Sequence, residues 1–193
     1  MARQTLADVA IIGRCLILFR RRTLRANKDS FRKAWGKFPT GASVITTLDD
    51  KGQVHAMTAN GVVSVSLEPL LNLLSVGHHA LTLGYLQKSR RYGMSFLCED
   101  QQEIGVYYAK RPADRTAPAP AKFIKQGNSF KVEGALAYFD CKVVSTHEEG
   151  DHILFVSEVE DIEVNDGLPL IFYETKWHKL PPPPVPAPRY LSG

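Results

Sequence analysis

The chain has 193 residues, of which 44% are hydrophobic and 23% are charged, as is typical of a globular protein. The formal net charge of +4 is unevenly distributed: residues 1–28 contain seven Lys or Arg and one acidic residue, whereas residues 29–193 contain 17 basic and 19 acidic residues. The positive charge therefore belongs to the N-terminal segment. Net charge alone gives no reason to predict that the body of the chain binds nucleic acid.

The N-terminal segment, residues 1–28, is predicted to be a basic extension that is either helical or disordered. Its apolar run, residues 6–19, is interrupted by Asp8 and Arg14, so it is too short and too charged to span a bilayer. Three arginines follow this run instead of preceding it, which is the wrong order for a secretory signal. We therefore expect no membrane association.

The body, residues 29–180, is predicted to consist mainly of strands. Residues 42–48 and 53–58 flank the turn signal Asp-Asp-Lys-Gly and form a first hairpin. Further predicted strands are 61–67, 70–76, 92–97, 130–132, 135–144, 153–164 and 170–173, with helices over 80–87 and 99–108. Many short strands with few helices indicate a closed barrel with helical additions. Residues 181–193 are a proline-rich tail.

Cysteine and histidine usage argues against disulfides and metal. Cys15, Cys98 and Cys141 are an odd number without a Cys-x-x-Cys spacing, which disfavours both a disulfide framework and a zinc site. A reducing, cytoplasmic compartment fits this pattern best. His78 and His79 are adjacent, and adjacent residues of a strand point to opposite faces, so we predict no metal site.

Two strand-like runs, residues 139–144 and 153–159, flank a polar loop over residues 146–150, and the three are predicted to form a hairpin with a bulge or longer loop. His152 opens the second strand, where a rigid hairpin can present its imidazole to a ligand. The alternative is a solvated turn residue next to an acidic loop.

Four stretches, taken in order, resemble one family. They are FRKAWGKFPTGASVITTLDDKGQVHAMTANGVVSVSLEP (31–69), EDQ (99–101), KRPADR (110–115) and ALAYFDCKVVSTHEEGDHILFVSEVEDIEV (135–164). Together they resemble the flavin reductase component of two-component flavin-dependent monooxygenases. The resemblance implies an FMN-binding split β-barrel with a few flanking helices, usually a homodimer with flavin at the subunit interface. It also implies reduction of FMN or FAD by NADH or NADPH and transfer of the reduced flavin to a separate oxygenase.

The resemblance also implies a set of site residues, with His152 as the catalytic residue on the nicotinamide side of the flavin. Small side chains in the Met-Thr-Ala-Asn-Gly segment would let backbone N–H groups approach the flavin edge, although the segment can equally be a simple turn. Residues expected to bind the cofactor are Thr40, Met57, Thr58, Ala59, Asn60, Ser75, Val76, Gly77, Ala80, Thr82, Arg115, Asp151, His152 and Trp177. The family usually has a hydroxyl residue where Ala80 stands.

Hydride can pass directly from nicotinamide to flavin, so a chain without a catalytic triad or metal cluster is compatible with this chemistry. Two other interpretations remain: a flavin- or haem-binding protein on the same barrel that does not turn over, and a split-barrel oxidase acting on a pyridoxal-type phosphate. The choice between FMN and FAD, and between NADH and NADPH, stays open, because no Gly-x-Gly-x-x-Gly fingerprint is present.

Overall fold

The structure is a computed structural model that describes residues 25–181 and, for the backbone alone, residues 9–12 and 15–18. The chain divides into two compact units, residues 1–38 and 39–193. The division therefore falls C-terminal to the boundary at residue 28 that the charge distribution predicts. The rest of the N-terminal segment and the tail beyond Pro181 lie outside the described residues.

The first unit contains a short hairpin and a helix. Strands β1 (Val9–Ile12) and β2 (Cys15–Leu18) pair antiparallel, whereas the sequence favoured a helix or disorder here. Helix α1 (Lys28–Trp35), which was not predicted, begins at Asn27. The Asn27 side chain accepts from the Ser30 N–H and the Ser30 hydroxyl accepts from the Asn27 N–H, each over 2.9 Å. This reciprocal cap satisfies two backbone donors and defines where the helix starts.

The second unit contains twelve strands and two helices in its described part. The strands are β3 (Thr40–Gly41), β4 (Ser43–Leu48), β5 (Val54–Ala59), β6 (Val62–Leu67), β7 (Leu70–Gly77), β8 (Arg91–Phe96), β9 (Phe123–Gln126), β10 (Ser129–Val132), β11 (Ala137–Glu149), β12 (His152–Val164), β13 (Leu170–Tyr173) and β14 (Lys176–Lys179). The helices are α2 (Leu81–Ser89) and α3 (Gln102–Ala109), and α3 is followed by a 3-10 turn at Pro112–Asp114. None of the described helices has the length and hydropathy needed to cross a membrane.

Seven of these strands form one antiparallel sheet in the order β5-β4-β8-β11-β12-β7-β6. The two edge strands, β5 and β6, are consecutive in the chain and are joined only by Asn60 and Gly61. The sheet therefore curls until its two edges meet, but it does not close, because β5 and β6 do not pair. A closed barrel was the wrong expectation from the strand pattern, and the mainly β split barrel implied by the family resemblance is confirmed.

The sheet is covered on both faces, as β4 illustrates. Its residues Ser43 to Thr47 are all buried, so its sequence lacks the alternation of a half-exposed strand. Val44 packs in a core cluster that includes Ile104 and Tyr108 of α3, whereas its neighbour Ile45 packs in a second cluster with Leu86 of α2. The two clusters anchor α3 and α2 to the sheet.

Candidate functional site

The two edges of the sheet meet at a seam, which we define as residues 59–61 together with Ser75. The Ser75 N–H donates to the Gly61 carbonyl over 2.8 Å, which joins the β5–β6 connection to β7. A Cβ at Gly61 would lie 3.3 Å from the Cβ of Ser75, so glycine is what permits this close approach. The seam brings two predicted segments together, Ala59–Asn60 on one side and Ser75 on the other.

A cavity of about 170 Å³ opens beside the seam. Small residues and two aromatic rings surround it, and its lining is Gly41, Ala42, Thr58, Ala59, Asn60, Ala109, Phe172 and Trp177. The Phe172 and Trp177 rings meet edge to face with their centroids 5.0 Å apart. Predicted residues Thr58, Ala59, Asn60 and Trp177 thus converge here, and Thr40 lies next to them, its Oγ1 3.5 Å from the Asn60 Nδ2. Such a cavity combines a flat apolar wall with polar groups at its rim.

Helix α3 forms the back of this cavity, and Gly105 lets the helix pack closely against Trp177. A Cβ at Gly105 would lie 2.9 Å from the Trp177 Cη2, so the indole packs directly on the helix backbone. The Thr58 hydroxyl donates to the Gly105 carbonyl over 2.7 Å and ties β5 to the same turn of α3. Gly105 therefore sets the position of both Thr58 and Trp177.

Strand β5 is an edge strand, so one side of it has no strand partner among the described residues. On that side the Ala56 carbonyl accepts from the Arg115 Nη2 over 3.0 Å. Because alternate residues of a strand direct their backbone groups to the same side, Thr58 presents its N–H and carbonyl to this open edge as well. The edge thus offers backbone donors and acceptors at the cavity.

Arg115 is held by the protein itself. Besides Ala56, its guanidinium donates to the Lys110 carbonyl over 3.1 Å and lies 5.0 Å from the centroid of the Tyr108 ring. Burial lowers the pKa of Arg115, although the two tyrosines beside it act in the opposite direction. Arg115, predicted to bind the cofactor, therefore closes part of the open edge of β5 and fixes the loop after α3.

Thr82, predicted to bind the cofactor, is buried in the first turn of α2 with its hydroxyl 2.9 Å from the His55 Nε2. Burial and the positive charge of Arg115 lower the pKa of His55, which favours its neutral form. Ala80 occupies the N-cap of α2 without a side-chain hydrogen bond, so the helix start relies on backbone groups. Thr82 thus belongs to a group with His55 and Arg115, separate from the cavity.

His152 lies where the start of β12 pairs with the end of β7, two residues along β12 from the partner of Ser75. Its register partner is Gly77, and a Cβ at Gly77 would lie 3.5 Å from the His152 Nε2 and 2.8 Å from the His79 ring. The His152 Nδ1 is 2.7 Å from the Asp151 Oδ1. Predicted residues Gly77 and Asp151 therefore flank His152, and the His79 ring lies next to Gly77.

Two predicted residues direct their side chains inward. Val76 is buried in the core cluster that contains Leu74, and Met57 packs against the same cluster. Their side chains support the strands beneath the seam. Gly105, Ala109 and Phe172 were not predicted from the sequence; of these only Gly105 gave a signal, because a glycine inside a helix often marks close packing.

Among the described residues, no group of three or more His, Cys, Asp and Glu side chains is arranged to hold a metal.

Comparisons with known proteins agree on one family. A family model described as "Flavin reductase like domain" matches residues 35–181. An NADH-dependent flavin reductase of Rhodococcus sp is 36% identical over 151 residues, 77% of this chain and 84% of that protein. The reductase component of 4-hydroxyphenylacetate 3-monooxygenase of Thermus thermophilus is 30% identical over 79% of this chain and 97% of that protein. The solved structure of the flavin reductase PheA2 superimposes with a TM-score of 0.76 at 39% identity, covering 81% of this chain and 99% of that one.

Proposed function

Because the chain belongs to the family of flavin reductase like domains, we propose that it is an NAD(P)H:flavin oxidoreductase. It reduces FMN or FAD by direct hydride transfer and supplies the reduced flavin to a separate monooxygenase. The relative from Rhodococcus is named as NADH-dependent, so we expect NADH to be the better reductant. The relative from Thermus thermophilus is named as a reductase component, which supports a partner oxygenase.

The observation that carries this proposal is the cavity at the seam of the barrel. Its small residues, Ala42, Ala59 and Ala109, leave room for a planar ring system, and Trp177 offers an apolar wall. The open edge of β5 supplies backbone donors and acceptors at Thr58, and the Asn60 side chain adds a polar group. This set fits the isoalloxazine ring of FMN or FAD, which has one polar edge and two flat apolar faces.

When bound, the flavin supplies the hydride acceptor, so no side chain has to act as nucleophile or general base. The protein has to hold two rings against each other and exclude water from between them. In our proposal Thr58, Ala59 and Asn60 bind the flavin edge, and the backbone at Ser75 and the start of α2 binds its ribityl and phosphate groups. His152 binds the nicotinamide.

The rival interpretation is a flavin- or haem-binding barrel that does not turn over. The names of the relatives support the reductase instead. The test is to mix the purified protein with NADH or NADPH and with FMN or FAD, and to follow the loss of nicotinamide absorbance. Flavin-dependent oxidation in at least one of the four pairs is expected. Retention of a cofactor that neither nicotinamide reduces would favour the rival.

Replacing His152 with alanine should raise the KM for NADH or lower kcat/KM about tenfold, because one positioning contact contributes on the order of 1–2 kcal/mol. Flavin affinity, measured by fluorescence quenching, should change much less. His147→Ala is the matched control, since His147 is an exposed histidine on the same hairpin. Wild-type kinetics in the His152 variant would make this residue part of a simple turn.

We also propose that the protein works in the cytoplasm. Cys98 and Cys141 are free thiols, the state that a reducing compartment maintains. Burial raises the pKa of the Cys141 thiol to about 12, so this cysteine stays protonated at physiological pH.

A homodimer is the assembly that the apolar surface of β6 supports. Val63, Val65 and Leu67 on this edge strand are 58%, 49% and 79% exposed, and Val63 and Leu67 line an apolar groove of about 280 Å³. Phe139 and Ile162 contribute to the opposite side of the groove. Large apolar side chains on an exposed edge strand favour association with another surface. We propose that a second copy of the chain buries them.

Replacing Leu67 with aspartate should therefore convert the protein from a dimer to a monomer, because the carboxylate would be buried without a partner. Light scattering at micromolar concentration measures the mass of both forms. Leu48→Asp serves as the control, since Leu48 is also exposed but does not line the groove. A monomeric wild-type protein would contradict the proposal directly.

A further inference from the structure

The turn between β11 and β12 holds Asp151 and His152 in a defined relation. Gly150 adopts a φ of 63°, which allows the chain to reverse, and the Asp151 carbonyl accepts from the His78 N–H over 3.0 Å. The Asp151 backbone is thus tied to the residue after β7. Its carboxylate then reaches the His152 Nδ1 at 2.7 Å.

This hydrogen bond has a direction. An ionised carboxylate can only accept, so the proton must reside on the His152 Nδ1. In a neutral imidazole the other nitrogen then carries no proton and is an acceptor. Within residues 25–181, the His152 Nε2 has no hydrogen-bond partner, and it faces the space above Gly77 that it shares with the His79 ring. The side chain of His152 is 43% exposed, so a ligand can reach this nitrogen.

We propose that Asp151 is a positioning residue that holds His152 as the Nδ1–H tautomer, so that Nε2 accepts a hydrogen bond from the carboxamide N–H of the nicotinamide. This inference rests on the proposed reductase function. In this arrangement His152 recognises the amide N–H donor of the reductant. Gly77, which has no side chain, keeps the Nε2 acceptor accessible.

The tautomer can be measured without any ligand. Long-range proton–nitrogen correlation spectra of the ¹⁵N-histidine-labelled protein distinguish the two tautomers, and a His152→Gln sample identifies the His152 signals. At a pH well above the range in which histidines ordinarily titrate, we expect a protonated Nδ1 and a bare Nε2 for His152. In Asp151→Ala the Nε2–H form should become the major one. A wild-type His152 that already carries its proton on Nε2 would overturn the proposal.

Kinetics then test the role of the acceptor. In reduced 3-acetylpyridine adenine dinucleotide a methyl group replaces the carboxamide nitrogen, so this analogue has no N–H to donate. Asp151→Ala should lower kcat/KM about tenfold with NADH and less than about twofold with the analogue. Equal losses with both reductants would instead assign Asp151 a general structural role and overturn the proposal.

Two further variants complete the test. Asp151→Asn can accept from Nδ1–H or donate to a bare Nδ1, so its kcat/KM should lie between that of the wild type and that of Asp151→Ala. An Asp151→Asn protein that keeps the Nδ1–H form yet loses as much activity as Asp151→Ala would contradict the tautomer argument. Asp166→Ala removes an exposed acidic residue elsewhere and controls for net charge. If the wild type oxidised NADH with no flavin at all, the proposed function would fail, whereas the spectra would still report the tautomer.

Discussion

Replacing Ala109 with tryptophan should abolish most of the flavin-dependent oxidation of NADH. Ala109 is exposed at the end of α3 and lines the cavity at the seam, so an indole there fills space without entering the core. A cavity of about 170 Å³ cannot hold both an indole and an isoalloxazine ring. We expect kcat/KM for flavin to fall roughly hundredfold or more, since the binding energy of the ring is lost together with its alignment.

The matched control is Ala113→Trp, which places the same side chain on an exposed residue of the 3-10 turn after α3, outside the cavity. Its kinetics should equal those of the wild type. Circular dichroism and thermal unfolding should show that both variants fold. If Ala109→Trp binds flavin normally, the flavin lies elsewhere along the seam and the cavity has another role.

The pattern of apolar residues predicted most of the strands, because burial decides which strand positions are apolar. Residues 170–173 were predicted as a strand and form β13 without change. Strands β9 (Phe123–Gln126) and β14 (Lys176–Lys179) were missed, since both are short and rich in polar side chains. Their pairing comes from neighbouring strands and not from alternation of their own residues. For the same reason, the sequence pattern of the strands could not show that the sheet stays open between β5 and β6.

The site was predictable to the extent that its residues are contiguous in sequence. Thr58, Ala59 and Asn60 are adjacent along one strand end, and the structure does bring them to the cavity. Arg115 and Thr82 carry the right chemical groups, yet their partners are the Ala56 carbonyl and the His55 ring. Only the packing of α2 and of the loop after α3 decides those partners, and neither leaves a local signal in the sequence.

The turn between β9 and β10 also depends on packing, because a buried carboxylate holds it. Asp140 on β11 is 1% exposed, and its two oxygens accept from the Ser129 hydroxyl over 2.8 Å and from the Asn128 N–H over 2.7 Å. Gly127, with a φ of 56°, turns the chain there, and a Cβ on it would meet the Asp140 Oδ2 at 2.5 Å. Tyr138 on the same strand adds a hydrogen bond of 2.9 Å to the Gln126 carbonyl. β11 thus holds the turn between β9 and β10.

This hairpin is also joined to the sheet beneath it. The Val132 N–H donates to the Ser95 hydroxyl over 3.0 Å, and Val132 packs in the core cluster that carries Ile104 and Tyr108 of α3. Phe123 of β9 lies against the Tyr108 ring with centroids 5.6 Å apart. Loss of the turn would therefore loosen the support of α3, which forms the back of the cavity.

Replacing Asp140 with alanine should lower the free energy of unfolding by about 3 kcal/mol, because it removes the buried carboxylate that accepts from both the buried Ser129 hydroxyl and the Asn128 N–H. For a domain of this size that corresponds to a Tm lower by roughly 10 °C, measured by circular dichroism or calorimetry. Asp140→Asn retains one acceptor oxygen and should lose about half as much. Asp166→Ala, which removes an exposed carboxylate, should leave the Tm within about 1 °C. Flavin affinity should weaken in the Asp140→Ala variant even at temperatures where it is folded, since the hairpin supports α3. An unchanged Tm would mean that the β9–β10 turn holds its conformation without the carboxylate.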